Sequence, residues 1–301
     1  MTAAAGDPTA DPVKAMQLCG QCIEFGEKYG MGADKYTFGV THEAIREPYD
    51  YYKFGVDFFR PAVDLPSSVV RGENNLGRAI EQMAAGENVV FLSNHQSEAD
   101  PQVVSLCLEK AGFGSTSSEL YYVAGHKVTT DPLAIPFSMG RNLICIHSKK
   151  HIDAVPEDKP DKQRQNLQSM GAMLGLMKEG GLALWVAPSG GRDRRNVETG
   201  EIPVAKFDSK TIDMFRLMAR KSKVPTHFYP LSMVSYELCP PPDRVEAGVG
   251  ELRNVRRTPV GIDCGEELDN EGGLEARHTF TDRANKVVDE SYAALRKEVI
   301  G

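Results

Sequence analysis

The sequence predicts an α/β fold: a mixed, mostly parallel central sheet covered by helices on both faces, with a small N-terminal helical region. Three observations carry this expectation. From about residue 75, short apolar runs take turns with amphipathic stretches of helical period. Several of the runs, such as Val89-Val90-Phe91-Leu92, are continuously apolar, as strands buried on both faces are. A chain of 301 residues with 41% hydrophobic and 26% charged residues can also bury the core that such a sheet requires.

In chain order, residues 1–60 form the small helical region, with Val13, Met16, Leu18, Cys19 and Ile23 apolar at helical spacing and no strand expected before Asn88. The aromatic-rich stretch Arg46-Glu47-Pro48-Tyr49-Asp50-Tyr51-Tyr52-Lys53-Phe54-Gly55 is expected to fill core, and in doing so could pack this piece onto the larger α/β domain, residues 61–301. There the pattern gives a helix over 76–83, a strand over 89–93, a helix over 101–111, and strands over 120–124 and 143–146. A helix over 162–179 follows, with Leu167, Met170, Leu174 and Met177 as its apolar stripe and Gly180-Gly181 as its stop. A strand over 182–187, a helix over 212–220 and a strand over 226–233 complete the alternation. After the break at Pro240-Pro241-Pro242 come strand candidates at 245–249 and 260–262. A last helix spans 280–299, with Ala284, Val287, Val288, Tyr292 and Leu295 on one face.

Composition excludes several classes. No apolar run approaches the ~20 residues that span a bilayer, so no transmembrane segment is expected and the protein is read as soluble. Residues 1–7 carry no basic region and no apolar core, so they are not expected to be a secretory signal, and they lack the arginines of a transit peptide. A net charge of -7 argues against nucleic acid as a partner. Basic residues nevertheless cluster at Lys149-Lys150-His151, at Arg192 to Arg195 and between Arg253 and Arg257, which suits small anions or an acidic partner. The six cysteines are expected to be free, buried thiols of a reducing compartment. Cys19 and Cys22 form a C-x-x-C without two further ligands nearby, so neither metal nor cofactor is expected.

The stretch Ser93-Asn94-His95-Gln96-Ser97-Glu98-Ala99-Asp100-Pro101 reads as strand, turn and helix start. An aspartate placed beside a histidine across such a turn can hold the imidazole in one tautomer, ready to take a proton from a hydroxyl. Spacing alone favours a plainer reading, in which Asp100 caps the helix that Pro101 opens. A second His-x4-Asp-Pro, His126 to Pro132, follows the strand-like run Leu120 to Val123, so the spacing does not by itself choose a base.

In a doubly covered parallel sheet, chemistry gathers at the carboxyl ends of the strands. Four loops meet that description: 93–101, 125–132, 147–151 and 188–195. In Ala187-Pro188-Ser189-Gly190-Gly191-Arg192-Asp193-Arg194, two glycines let backbone amides approach an anion and two arginines can present forks to phosphate. Lys150 and His151 add charge from a neighbouring loop. A base beside a phosphate-sized anion site points to a phosphorylated alcohol as substrate. Ser189 as a hydrolase nucleophile is the rival, but Pro188-Ser189-Gly190 lacks the first glycine of a G-x-S-x-G elbow. Cys145 is weaker still, lying inside an apolar run.

Taken in order, these motifs resemble the glycerolipid acyltransferase superfamily, and most of all its soluble plastid-type glycerol-3-phosphate acyltransferases. The blocks are Asn94-His95 through Asp100-Pro101, Gly140-Arg141-Asn142-Leu143-Ile144-Cys145-Ile146 running into Ser148-Lys149-Lys150-His151, Trp185 through Arg194, and Phe228-Tyr229-Pro230-Leu231. Arg46-Glu47-Pro48 with Asp50-Tyr51-Tyr52 is similar to the plastid branch as well. Where membrane-bound relatives carry F-P-E-G-T-R, this chain has Ala187-Pro188-Ser189-Gly190-Gly191-Arg192. Its N-terminal helical piece is short for the plastid branch.

The resemblance selects His95 over His126, and leaves His126 and Asp131 with structural roles. It implies His95 as general base and Asp100 as its orienter, with Lys150, His151, Arg192 and Arg194 holding the phosphate of glycerol 3-phosphate. The implied reaction moves a fatty acyl group from acyl carrier protein, or from acyl-CoA, to the sn-1 hydroxyl of glycerol 3-phosphate, with no covalent enzyme intermediate, metal or cofactor. Lys149, Arg194 and Arg195 are the candidates for docking the acidic carrier protein. The implied location is the plastid stroma, with bacterial cytoplasm as the alternative. A 1-acylglycerol-3-phosphate acyltransferase and a non-catalytic lipid- or anion-binding protein on the same fold stand as the other readings.

Overall fold

The computed structural model describes residues 11–148, 152–153, 155–242, 253–272 and 276–301. Its centre is an eight-stranded sheet formed by β1 (Thr41–His42), β2 (Val69–Arg71), β3 (Asn88–Ser93), β4 (Tyr121–Gly125), β5 (Asn142–Ile146), β6 (Ala183–Val186), β7 (Thr226–Val234) and β8 (Gly261–Cys264). Across the sheet the order is β1-β5-β4-β6-β3-β7-β8-β2. The five strands from β5 to β7 run parallel; β1 pairs antiparallel with β5, and β8 antiparallel with β7. The sheet is therefore mixed and mostly parallel.

Helices α1 (Pro12–Gly26), α2 (Tyr51–Phe59), α3 (Glu73–Ala84), α4 (Asp100–Lys110), α5 (Gly114–Ser117), α6 (Ile135–Met139), α7 (Lys159–Glu179), α8 (Ser209–Ser222) and α9 (Arg277–Ile300) surround it. Successive strand residues serve opposite layers. Val89, Phe91, Trp185 and Tyr229 pack with Val56 of α2, Leu76 of α3 and Val103 of α4. Val90, Leu92, Leu184 and Phe228 pack with Met173 of α7, Phe215 of α8 and Val288 of α9. Every residue of β3 and β6 is buried, which is why those strands read as unbroken apolar runs. Among the described residues, no helix is long and apolar enough to cross a membrane.

Several expectations are corrected. Strands do occur before Asn88: β1 is an edge strand of two residues and β2 one of three, too short to show any period. In α1 the packed residues are Leu18 and Cys22, which meet Phe54 and Phe25, while Val13, Met16 and Ile23 are 58%, 58% and 57% exposed. In α7 the buried positions are Ser169, Met173 and Met177; of the expected stripe Met177 is fully buried, Met170 and Leu174 pack half-buried against the core, and Leu167 faces out at 73% exposed. The strand candidate at 245–249 lies outside the described residues.

The aromatic stretch does join the first helix to the rest. Phe25 of α1 meets Tyr49, Tyr51 and Phe54 at ring separations of 5.1, 5.3 and 5.4 Å, and Phe54 stacks on Phe137 of α6 at 5.3 Å. Gly30 lets the chain pass against the loop after β4: a Cβ there would stand 2.4 Å from the Cα of Pro132. All six cysteines are free thiols, and all but Cys19 are buried.

Candidate functional site

Because β5, β4, β6 and β3 are parallel, the loops that follow them leave from one edge of the sheet. The loop after β3 holds His95. Its imidazole is side-chain exposed by 26%, and its Nδ1 lies 2.7 Å from Oδ2 of Asp100, which is wholly buried. Pro101 in the first turn of α4 fixes the helix start just beyond the aspartate.

Asp100 does not cap its own helix as expected. Its carboxylate turns back onto the preceding turn: Oδ2 also accepts from the Gln96 amide at 2.8 Å. Oδ1 accepts from the amide and hydroxyl of Ser97, each at 3.1 Å, and from the Ser235 hydroxyl at 2.6 Å. Four donors besides the imidazole thus hold the carboxylate in place. The imidazole then carries its proton on Nδ1 and presents an acceptor lone pair on Nε2, the arrangement a general base requires. Trp185 of β6 closes the other side of the ring, edge to face at 5.7 Å and 82°.

The loop after β6 docks directly on this turn. The Asp193 amide donates to the carbonyl of His95 at 2.5 Å. The Asp193 side chain, itself fully buried, accepts from the Ala205 amide at 2.8 Å and from the Asn94 amide group at 3.0 Å. Burial pushes its carboxyl up to about 6, against these donors and the nearby His95. Asn94 also exchanges both hydrogen bonds with the backbone of Met233, and Gln96 accepts from the amides of Ser235 and Tyr236. The end of β7 therefore fixes the turn from the opposite side. Gly190 adopts φ +69, a conformation that favours glycine, and a Cβ at Gly190 or Gly191 would meet nothing within 4 Å, so this bend is open to a ligand.

Beside His95 lies a cluster of charges. Arg192 stands 3.6 Å from Glu98, and the two side chains are only 12% and 16% exposed. Arg253 donates to Glu98 at 2.7 Å and reaches Asp131 at 2.9 Å. Burial lowers the proton affinity of Lys127, and the fields of Arg192 and Arg253 act the same way on it, which places all three cations in one neighbourhood. Arg194 donates to the carbonyl of Pro242 at 2.7 Å, and Arg195 pairs with Glu237 at 2.5 Å.

Of the residues singled out in the sequence, the structure brings together His95, Asp100, Arg192 and Arg194 on one edge. Lys149, Lys150 and His151 lie outside the described residues. The second His-x4-Asp is arranged differently from the first. The ring of His126 meets that of His147 at 5.0 Å, and Asp131 engages Arg253 and the amide of Leu133. Ser189 donates its hydroxyl to the Gly191 carbonyl at 3.0 Å. Burial pushes the Cys145 thiol up to about 11, the opposite of an activated nucleophile.

Sequence reasoning missed Glu98, Asp193, Ser235 and Arg253 as site residues. Glu98 and Asp193 lie inside motifs already noted, so their position was a usable signal. Ser235 and Arg253 reach the site from 135 and 155 residues away along the chain; no local pattern marks Ser235, and Arg253 stands out in the sequence only as one end of a basic cluster.

A model of the acyltransferase family matches residues 69–234, which contain the His95 turn and the Gly-Arg loop. The chain is 41% identical over 273 residues to the chloroplastic glycerol-3-phosphate acyltransferase of Arabidopsis thaliana, covering 88% of this chain and 59% of the relative. It is 40% identical over 275 residues to the chloroplastic glycerol-3-phosphate acyltransferase of Spinacia oleracea, covering 89% and 58%. It is 42% identical over 236 residues to the chloroplastic glycerol-3-phosphate acyltransferase ATS12 of Cucurbita moschata, covering 78% and 51%. The aligned part of the chain thus spans little more than half the length of these curated relatives.

Proposed function

The chain belongs to the acyltransferase family, and from that premise we propose that it moves a fatty acyl group from an acyl carrier protein thioester to the sn-1 hydroxyl of glycerol 3-phosphate. The product is 1-acylglycerol 3-phosphate. The observation that carries the reading is the pairing of His95 with the buried Asp100 at 2.7 Å, on a turn tied through Asp193 to the loop that bears Arg192 and Arg194. A proton acceptor and an anion-binding loop are thereby held as one unit. Relatives named glycerol-3-phosphate acyltransferase support the choice of acceptor, and their chloroplastic designation supports the plastid stroma as the location.

His95 takes the hydroxyl proton at Nε2 as the acceptor oxygen attacks the thioester carbonyl, and Asp100 stabilises the imidazolium that forms. The proton then passes to the departing thiolate, so no covalent enzyme intermediate is needed. General-base assistance of this kind supplies roughly 10² to 10⁴ in rate. Fixing the acceptor by its phosphate supplies a further part through orientation. Arg192 and Arg194 are assigned to that phosphate from the described residues, and Lys150 and His151 from the sequence. Arg194 and Arg195, with Lys149, are proposed to meet the acidic carrier protein.

Initial rates with glycerol 3-phosphate and 1-acylglycerol 3-phosphate as acceptors, each offered with acyl carrier protein and coenzyme A thioesters, test the proposal. Preferred acylation of glycerol 3-phosphate from the carrier protein is expected. Preference for 1-acylglycerol 3-phosphate would move the protein to the next acylation, and no turnover of any pair would leave a binding protein on this fold.

A further inference from the structure

Trp185 is the sole tryptophan of the sequence. It sits on β6 beside the base, 4% exposed, with its ring 5.7 Å from that of His95 and 5.8 Å from that of Tyr122. Its indole Nε1–H is buried without a hydrogen-bond partner. A buried donor with nothing to bind is costly, and a phenylalanine could line the same wall without that cost. The retained N–H calls for an acceptor that arrives with a ligand.

Resting on the acyl-transfer reading above, we infer that the indole N–H of Trp185 donates a hydrogen bond to the thioester carbonyl oxygen of the acyl donor and stabilises the negative charge that grows on it. Asp100 occupies Nδ1 of His95, so the acceptor hydroxyl must approach Nε2. Proton transfer holds that oxygen ~3 Å from Nε2. The carbonyl carbon bonds to the same oxygen, and the carbonyl oxygen lies one bond further on. A donor ~3 Å from that oxygen then stands ~5 to 6 Å from Nε2; the indole, edge to face with the imidazole at a centroid separation of 5.7 Å, lies in the neighbourhood this requires. Trp185 is the penultimate residue of β6, just ahead of the loop assigned to the acceptor's phosphate, so β6 addresses both ends of the reacting pair.

In the step itself, the hydroxyl oxygen forms a bond to the carbonyl carbon while His95 takes the hydroxyl proton. The carbonyl π pair moves onto oxygen, where the indole N–H meets it. That pair returns as the carbon–sulfur bond breaks, and the imidazolium gives its proton to the leaving thiolate.

Trp185→Phe keeps an aromatic wall and removes the donor. At saturating acyl carrier protein thioester and glycerol 3-phosphate, kcat is expected to fall about a hundredfold, as for loss of one oxyanion donor, with KM for glycerol 3-phosphate changed less than about threefold. A variant that retains kcat within about threefold, whatever its melting temperature, overturns the assignment. A second measurement needs no variant, because the emission of Trp185 is the protein's entire tryptophan signal. Two unreactive acyl-pantetheine analogues are titrated into the wild-type protein: an amide that keeps the carbonyl, and a thioether with a methylene in its place. The amide is expected to shift the emission to the red and the thioether to leave it in place; equal responses overturn the proposal. A wild-type protein that neither acylates glycerol 3-phosphate nor responds to either analogue refutes the acyl-transfer reading and this inference with it. An active wild type with an equally active Trp185→Phe variant refutes the inference alone.

Discussion

Replacing Asp100 by asparagine separates the two services of this carboxylate, positioning and charge, and the hydrogen bonds around it set the size of the effect. The carboxylate accepts from the His95 imidazole, from the amides of Gln96 and Ser97, and from the hydroxyls of Ser97 and Ser235. An asparagine has one oxygen and one NH₂. With the NH₂ on the Oδ1 side, the two hydroxyls can rotate to accept from it, and only the Ser97 amide is left unmatched, at about 1 to 3 kcal/mol of stability. The imidazole keeps its tautomer in that orientation but loses the charge opposite the imidazolium. A charged hydrogen bond contributes about 1.5 to 3 kcal/mol, so kcat should fall about 10- to 150-fold. The opposite orientation leaves the Gln96 amide facing the NH₂ and turns His95 to the tautomer with a proton on Nε2, where losses approach 10⁴-fold. Steady-state kinetics at saturating donor, together with urea unfolding, measure both quantities. KM for glycerol 3-phosphate should move little. A kcat within about threefold of wild type would refute the assignment of Asp100 as the orienter of the base.

Two further outcomes follow from the same geometry. Arg192→Ala should raise KM for glycerol 3-phosphate about 10- to 100-fold, the worth of a charged hydrogen bond to phosphate, and raise KM for the acyl donor far less; equal effects would count against a phosphate contact. Asp193, pushed up to about 6 by burial, binds a proton in the folded protein that the unfolded chain has already lost. Its contribution to stability is full below about pH 4 and disappears as pH rises through 6, at about 1.4 kcal/mol per pH unit. Unfolding free energies of wild type and Asp193→Asn, measured from pH 4 to pH 7, should therefore diverge by about 2.5 kcal/mol, with the wild type losing ground to the variant as pH rises. A constant difference across that range would contradict a raised Asp193.

What the sequence disclosed and what it concealed have the same physical origin. β3 and β6 are buried on both faces, so their burial is written locally as apolar runs, and the parallel order of the core strands follows from their alternation with helices. β1 and β2 are held by pairing at the edges of the sheet rather than by their own composition, and two or three residues carry no period. The apolar residues of α1 surround the helix, and only the tertiary partners Phe54 and Phe137 decide which side is covered. At the site, the paired His95 and Asp100 were legible because they are close in sequence. The two His-x4-Asp stretches could not be told apart by spacing, since what distinguishes them is remote: Ser235 completes the shell of Asp100, whereas Arg253 engages Asp131. Asp193 stood in plain view between two arginines, yet its work, tying the His95 turn to the loop after β6, becomes visible only once both loops are placed.

The most direct test of the account compares acylation of glycerol 3-phosphate by His95→Ala and by His126→Ala, with acyl carrier protein thioester as donor and folding verified by circular dichroism. The geometry predicts a loss of about 10² to 10⁴ in kcat for His95→Ala and turnover within a few-fold of wild type for His126→Ala. Abolished turnover in the His126 variant beside an active His95 variant would contradict it.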